Sequence, residues 1–449
     1  MPKPITEQLA EFILNTDYKS LPQEAVEMAK LCFLDWLGST YAGSKQRPTR
    51  IFLELARELG GRPEATLIPD GSKSSCLLAA MVNAASSHVM EMDDLHKASI
   101  LHPAAAVIPA ALAIAEREGS SGADLIAAIV AGYEVAIRIG EAVGSSHYQY
   151  WHTTGTCGTF GAAAAAGKLL GLGKEEQVWA LGSAGTQASG LWEFLVEGAM
   201  SKQLHPAKAA GNGLLSALLA QKGFTAASRI LEGEKGFCRA TAKDFDLVKV
   251  TEGLGKGEYR ILSTSFKAHA SCYHTHSAID AALELIQRFD LRPEIIKNVT
   301  VRLYSGALNL LEKVEPTSPY AAKFSLPFCV ATALVYRQVG IEAFSNKRLR
   351  DPEILELMPK IELRHNPELD RLYPERWPAV VEITLSSDQV IQTRVDYPKG
   401  DPHNPMSREE LVEKFHHLTE KALPSKKRNR LVEACYHLQG FPNLAAFFE

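Results

Sequence analysis

The chain has 449 residues, 46% of them hydrophobic and 22% charged, with a formal net charge of -4. At roughly 100–200 residues per domain this bounds it to two or three domains with an ample core. Basic residues are neither in excess nor clustered, which excludes a nucleic-acid footprint. Seven scattered cysteines without a CxxC exclude a disulfide framework and a structural zinc site, and point to a reducing cytoplasm. The opening MPKPITEQLAEFILN lacks the apolar run of a signal peptide. No stretch reaches the ~18 uninterrupted apolar residues of a membrane span.

Residues 5–44 read as helices, because Leu9, Phe12 and Ile13, then Ala25, Met28, Ala29 and Cys32, recur at helical spacing. Further helices are predicted over 73–90, 103–118 and 122–143, then over 155–171, 174–189 and 207–222. Their abundant Ala and Gly let backbones approach closely, so the pattern predicts a tightly packed bundle. The character changes near Gly255. Residues 257–265 (GEYRILSTS) and 296–304 (IKNVTVRLY) read as strands, the second alternating through Val299, Val301 and Leu303. His276–Phe289 and Phe324–Arg337 read as helices. Residues 379–386 and 389–397 form a hairpin around Ser387-Asp388. From Arg408 the chain is helical again. The expected fold is mainly α with an α+β insertion. A large helical-bundle domain takes residues 1–265 and 399–449, and a smaller α+β lid domain takes 266–398.

Four stretches could carry chemistry. In the first, Glu91, Asp93, Asp94, His96 and His102 fall between two Ala-rich helices. Pro103 pre-sets a first helical turn, which places His102 at a helix N-terminus. Such an end favours anions and suits a histidine that contacts a carboxylate or transfers a proton near neutral pH. The bland alternative is a capping turn with solvated acids. The second stretch, Tyr150 to Gly161, places His152 before a helix in the same way. Its GxxGxxG spacing follows no strand, so it is no dinucleotide loop, and Gly158 and Gly161 read as helix-packing residues. The third, Met200 to Pro206, puts Lys202 and His205 before another helix; a surface lysine is the usual case for Lys202. The fourth, Lys267 to His276, includes His274 and lies at the expected domain boundary. Its imidazoles invite a metal, but no HExxH or carboxylate-bearing helix accompanies them. The residues therefore argue against a metal here.

Together these stretches resemble the MmgE/PrpD family. The resemblance runs through LDWLGSTYAGS, MDDLHKASILHPAAAVIPAALA, HTTGTCGTFGAAAAAGKLLGL, SKQLHPAKAAGNG, KAHASCYHTHSAIDA and FSLPFCVATAL. It implies a large helical domain, a smaller α+β lid domain, an active site between them, a homodimer, and no metal or organic cofactor. By motif position the family's catalytic histidine falls on His102 and its acid on Asp93 or Glu91. The second histidine falls on His152, the lysine on Lys202 and the inter-domain lysine on Lys267. One departure is informative: the dehydratase and decarboxylase branches read Asp-Asp-Thr where this chain reads Asp93-Asp94-Leu95.

The expected activity is a cofactor-independent lyase acting on a small polycarboxylate by proton transfer α to a carboxylate, as a 2-methylcitrate dehydratase or cis-aconitate decarboxylase does. The catalytic candidates are His102, Asp93, His152 and Lys202. The substrate-binding candidates are Glu91, His205, Lys267, His274 and Tyr320. An epimerase of an imino- or aminodicarboxylate is the alternative in the same fold, and a metal-dependent hydrolase or lyase is a more distant one.

Overall fold

The computed structural model describes residues 3–311 and 314–448. Its longer helices, in chain order, are α1 (Ile5–Asn15), α2 (Gln23–Gly43), α3 (Arg47–Leu59), α4 (Cys76–His88), α5 (Pro103–Glu118), α6 (Gly122–Tyr148), α7 (Thr153–Leu169), α8 (Lys174–Gln187), α9 (Leu204–Gln221), α10 (His276–Phe289), α11 (Leu326–Tyr336), α12 (Arg408–Thr419) and α13 (Ser425–Tyr436). Four strands form one sheet: β1 (Ile296–Leu303), β2 (Ile361–His365), β3 (Ala379–Leu385) and β4 (Val390–Val395). The fold is mainly α with a small α+β part.

The chain divides into two compact units. The first comprises Met1–Val89, Asp93–Thr264 and Arg408–Glu449; the second comprises Met90–Met92 and Ser265–Ser407. In the first unit α7 packs against α5, α6 and α9. Small residues make this possible. A Cβ on Gly161 would lie 2.7 Å from Ala136 of α6, and one on Gly158 would lie 2.8 Å from Ala106 of α5. Both glycines are helix-packing residues, as their spacing suggests. Even one added methyl there would overpack the contact, at a cost of about 1–3 kcal/mol. Along α5 every residue from Pro103 to Glu116 is buried, so the helix beginning at His102 is enclosed on all sides.

The second unit carries the sheet, in the order β2-β1-β3-β4. β1 runs parallel to β2, pairing Val299 with Ile361, and antiparallel to β3, pairing Val301 with Val381. Helix α10 packs on β3 and β4 and against α11. The hairpin between β3 and β4 turns at Asp388, whose φ of 66° lies in the left-handed region that Asp tolerates.

Two segments differ from the sequence expectation. Residues 257–265 are not a full strand: Arg260–Ser263 is a 3-10 turn and only Thr264–Ser265 is extended. Here the Ile261 amide donates to the Glu134 carboxylate at 3.2 Å, which satisfies a donor that a strand would give to a neighbour. Helix α3 and strand β2 are additional elements. Along β2 only Ile361 is buried, so the strand lacks the alternation that marked β1.

Candidate active site

His102 is the N-cap residue of α5, and its side chain makes no cap bond. Asp94 does that work instead: its Oδ1 accepts from the Ala104 amide at 3.1 Å. The Asp94 main-chain carbonyl accepts from His102 Nδ1 at 2.6 Å. A carbonyl cannot donate, so Nδ1 carries the proton, and the lone pair of a neutral His102 lies on Nε2. The backbone around it is held by the start of α7. The His102 amide donates to Thr154 Oγ1 at 3.1 Å, and the Thr153 hydroxyl donates to the Ile100 carbonyl. Ile100 itself has a φ of 49°. A β-branched residue in that region is strained by about 1–3 kcal/mol, a cost found most often at functional sites.

Asp93 is fully buried beside this ring. Its Oδ2 lies 3.6 Å from His102 Nδ1 and 2.6 Å from His88 Nδ1. His88, at the end of α4, is also fully buried. Its ring centroid is 5.0 Å from that of His102 and 5.6 Å from that of His152. His152 precedes α7, with its amide donating to the Gly190 carbonyl at 2.8 Å. Its Nδ1 lies 3.1 Å from Nδ1 of His205, so one of these two nitrogens carries a proton and the other accepts it. Trp192 closes over His152 with centroids 4.9 Å apart. Lys202 is buried on the 3-10 turn Met200–Gln203 that leads into α9.

Burial dominates the electrostatics. Desolvation, aided by the charges of His205, Lys202, His88 and His102, holds His152 well below the usual imidazole range. Burial, then Lys208, His88 and Lys202, pushes His205 down to about 3. His205 is therefore a neutral ring at physiological pH and no cationic clamp; what it offers a substrate is a hydrogen bond. Burial likewise pushes the Asp94 carboxyl well above the usual carboxylate range. The Tyr133 hydroxyl, 2.7 Å from Oδ2, opposes this, and the charges of Asp35 and Asp93 add to it.

The first unit thus brings Asp93, His102, His152 and His205 together, with Lys202 acting on both of the last two. The other candidates lie in the second unit. Lys267 Nζ is 3.0 Å from Glu91 Oε2, and Tyr320 donates to Glu91 Oε1 at 3.2 Å. Glu91 has a φ of 57°, a second strained position within the acidic stretch. Lys323 donates to the carbonyls of Met90 and Ala270 at 2.7 and 2.8 Å. His274 belongs to a different setting: it stacks on Trp377, centroids 4.0 Å apart, and bonds to Tyr304. Burial, then Lys267, pushes it down to about 3.

Sequence reasoning did not single out His88. The available signal was a histidine closing an apolar helix five residues before Asp93. The capping turn weighed for the acidic stretch is made by Asp94, which is buried rather than solvated.

His88, Asp93 and His102 bring possible ligand atoms within 4.8 Å of one another. The Nδ1 atoms of both histidines, however, are engaged in 2.6 Å hydrogen bonds. The 2.6 Å between His88 Nδ1 and Asp93 Oδ2 is shorter than the separation of two ligand atoms around a tetrahedral zinc at bond lengths of about 2.0–2.1 Å. Within the trio His88 is hydrogen-bonded to Asp93, whereas His102 Nδ1 bonds outside it, to the Asp94 carbonyl. Among the described residues no helix is long and apolar enough to cross a membrane.

A mainly helical chain with buried imidazoles gathered around one carboxylate has the equipment of an acid–base enzyme. The sequence comparisons make that class specific. Residues 7–249 match the MmgE/PrpD N-terminal domain and residues 269–438 the MmgE/PrpD C-terminal domain. The chain belongs to the MmgE/PrpD family. It is 28% identical to the cis-aconitate decarboxylase of Aspergillus terreus over 438 residues, covering 92% of this chain and 88% of that protein. It is 27% identical to the human cis-aconitate decarboxylase over 441 residues, covering 92% and 88%. It is 23% identical to the mitochondrial 2-methylcitrate dehydratase of Yarrowia lipolytica over 457 residues, covering 92% and 83%.

Proposed function

We propose that this protein is a cofactor-independent lyase that moves a proton at a carbon α to a carboxylate of a small tricarboxylate. Decarboxylation of cis-aconitate is the first reading and dehydration of a 2-methylcitrate-type substrate the second. The observation that carries the proposal is the fixed tautomer of His102, with Nδ1–H donated to the Asp94 carbonyl and the Asp93 carboxylate 3.6 Å away. Neutral His102 is a base at Nε2. Protonated His102 is an acid at the same atom, and Asp93 stabilises that form.

Either reaction uses this. Loss of CO2 from one arm of an unsaturated tricarboxylate shifts an electron pair through the double bond to the carbon α to another carboxylate. That carbon must take up one proton, and His102 Nε2–H supplies it. In dehydration the neutral Nε2 removes the α-proton and the resulting Nε2–H returns it to the hydroxyl, which leaves as water; His152, a neutral ring, serves as a hydrogen-bonding partner to the reacting groups. Charge developing on the α-carboxylate is stabilised by a buried cation, and Lys202 fills that role. In the second unit Lys267 and Tyr320 are substrate-binding candidates: they already grip one carboxylate, that of Glu91. Glu91 is then the group that keeps them aligned. His274 is a further substrate-binding candidate, through a hydrogen bond. The same reading places the enzyme in the cytoplasm as a homodimer.

The relatives named as decarboxylases favour the first reading, at 26–28% identity over 92–97% of the chain. Leu95, standing where the family resemblance implies a Thr in those branches, bears against a citrate-type substrate, and an epimerase of an imino- or aminodicarboxylate is the alternative in the same fold. Turnover of cis-aconitate, 2-methylcitrate and iminodicarboxylates by the purified protein separates the three. CO2 release from cis-aconitate is expected. Turnover of an iminodicarboxylate with none of either tricarboxylate would replace the lyase by the epimerase.

A further inference from the structure

The mechanism above leaves His88, a fully buried titratable group beside Asp93 and His102, without a role. His88 ends α4, where the helix C-terminus favours a donor with positive character. Its Nδ1 lies 2.6 Å from Asp93 Oδ2, the same oxygen that is 3.6 Å from His102 Nδ1. Among the described residues, His88 Nε2 has no hydrogen-bond partner. A buried carboxylate without donors neutralises itself by taking up a proton. An ionised Asp93 therefore depends on the donors around it, and His88 contributes a short one.

We propose that His88 is a positioning residue: its Nδ1–H keeps Asp93 ionised and held against His102, and so sets how readily His102 takes up its proton. The inference deepens the proposed function and rests on it for its kinetic consequence. Other titratable groups around Asp93 and His102 make bonds of their own. His152, with its ring centroid 6.4 Å from that of His102, gives its Nδ1 to His205. Lys202 acts on those two rings. The Asp94 carboxyl is engaged by Tyr133 and by the Ala104 amide, with Cys32 and Asp35 of α2 behind it. His88 joins its Nδ1 to the Asp93 carboxylate at hydrogen-bond distance.

Two substitutions test it. His88→Asn keeps a donor at the place of Nδ1 and removes the titrating ring. His88→Leu removes both. The His102 ring is followed by nitrogen NMR on substrate-free protein across pH 4–9, a readout that does not depend on which reaction the enzyme runs. In His88→Leu, Asp93 takes up a proton and no longer favours the His102 imidazolium. The His102 titration then moves to lower pH by a unit or more, roughly a tenfold loss of proton affinity. In His88→Asn it stays within about 0.3 units of wild type, a twofold change. With cis-aconitate, the fall of kcat at high pH follows the same displacement in His88→Leu, at nearly constant KM, and His88→Asn restores the profile. If His88→Leu fails to fold, His88→Asn still decides: a wild-type titration and kcat support the positioning role. A tenfold loss of kcat in His88→Asn at unchanged KM would make His88 a proton carrier and overturn the proposal. An unmoved His102 titration in folded His88→Leu overturns it as well.

Discussion

Asp93 and Glu91 are two residues apart in the chain and sit in different kinds of chemistry. Around Asp93, in the first unit, the neighbours are the imidazoles of His88 and His102, with His152 and His205 beyond. Around Glu91, in the second unit, they are the ammonium of Lys267 and the hydroxyl of Tyr320. An imidazole can both take up and give up a proton, whereas a lysine paired with a carboxylate holds a fixed charge. The first arrangement suits a reaction in which a proton moves; the second suits holding an anion in place. The acidic stretch of the sequence supplies one carboxylate to each.

The largest effect that would sharpen this contrast is on stability. Lys267→Met leaves Glu91 buried without its cation and should cost about 3–5 kcal/mol, as breaking one side of a buried ion pair typically does. Asp93→Asn leaves an amide oxygen that still accepts from His88, and should cost under about 1.5 kcal/mol while removing most of kcat. Urea unfolding of both variants measures it. Equal losses of stability would erase the distinction between the two clusters.

Next is the pH dependence of the imidazole set. The folded-state value for His205 is about 3, below the ordinary 6.5, because of burial and then Lys208. Below pH 6.5 the unfolded chain takes up a proton there that the folded chain refuses. Its contribution to stability is therefore present above pH 6.5 and lost as pH falls toward 3. His205→Asn removes that titration. The stability of wild type minus that of the variant should fall by about 1.4 kcal/mol per pH unit between 6 and 4. A difference constant with pH would mean that His205 is protonated in the folded protein.

A smaller effect is expected from Lys202→Ala, which should lower kcat/KM for a tricarboxylate about tenfold to a hundredfold, equivalent to one charge-assisted hydrogen bond of about 1.5–3 kcal/mol. A monocarboxylate analogue should lose less, and an equal loss would argue against a carboxylate-holding role. No effect at all is expected from prolonged dialysis against a strong chelator. Activity lost there and restored by one divalent ion would convert the His88, Asp93 and His102 cluster into a metal site.

Much of this was legible in the sequence. The period of apolar residues located α5, whose bounds match the expectation, and α10 likewise. The Val299, Val301 and Leu303 alternation located β1. Pro103 marked His102 as the residue before a helix, because its fixed φ suits a first turn. What remained illegible depends on contacts distant in sequence. Residues 257–265 carry strand-forming side chains, yet the Glu134 carboxylate takes the Ile261 amide. His88 reads as the end of an apolar helix, and only its distance to Asp93 reveals more. The tautomer of His102 comes from the Asp94 carbonyl, a backbone atom that no side-chain pattern reports. Residue type alone gives His205 the ordinary imidazole value near 6.5, and burial, then Lys208, pushes it down to about 3.

The central claim is that Nε2 of His102 is the atom that exchanges a proton with the substrate. His102→Asn tests it most directly, because the asparagine amide can still donate to the Asp94 carbonyl while nothing remains at the place of Nε2. With the substrate that wild type turns over, kcat should fall about a hundredfold to ten-thousandfold, with KM and the unfolding midpoint close to wild type. A folded His102→Asn enzyme with near-wild-type kcat would contradict the account.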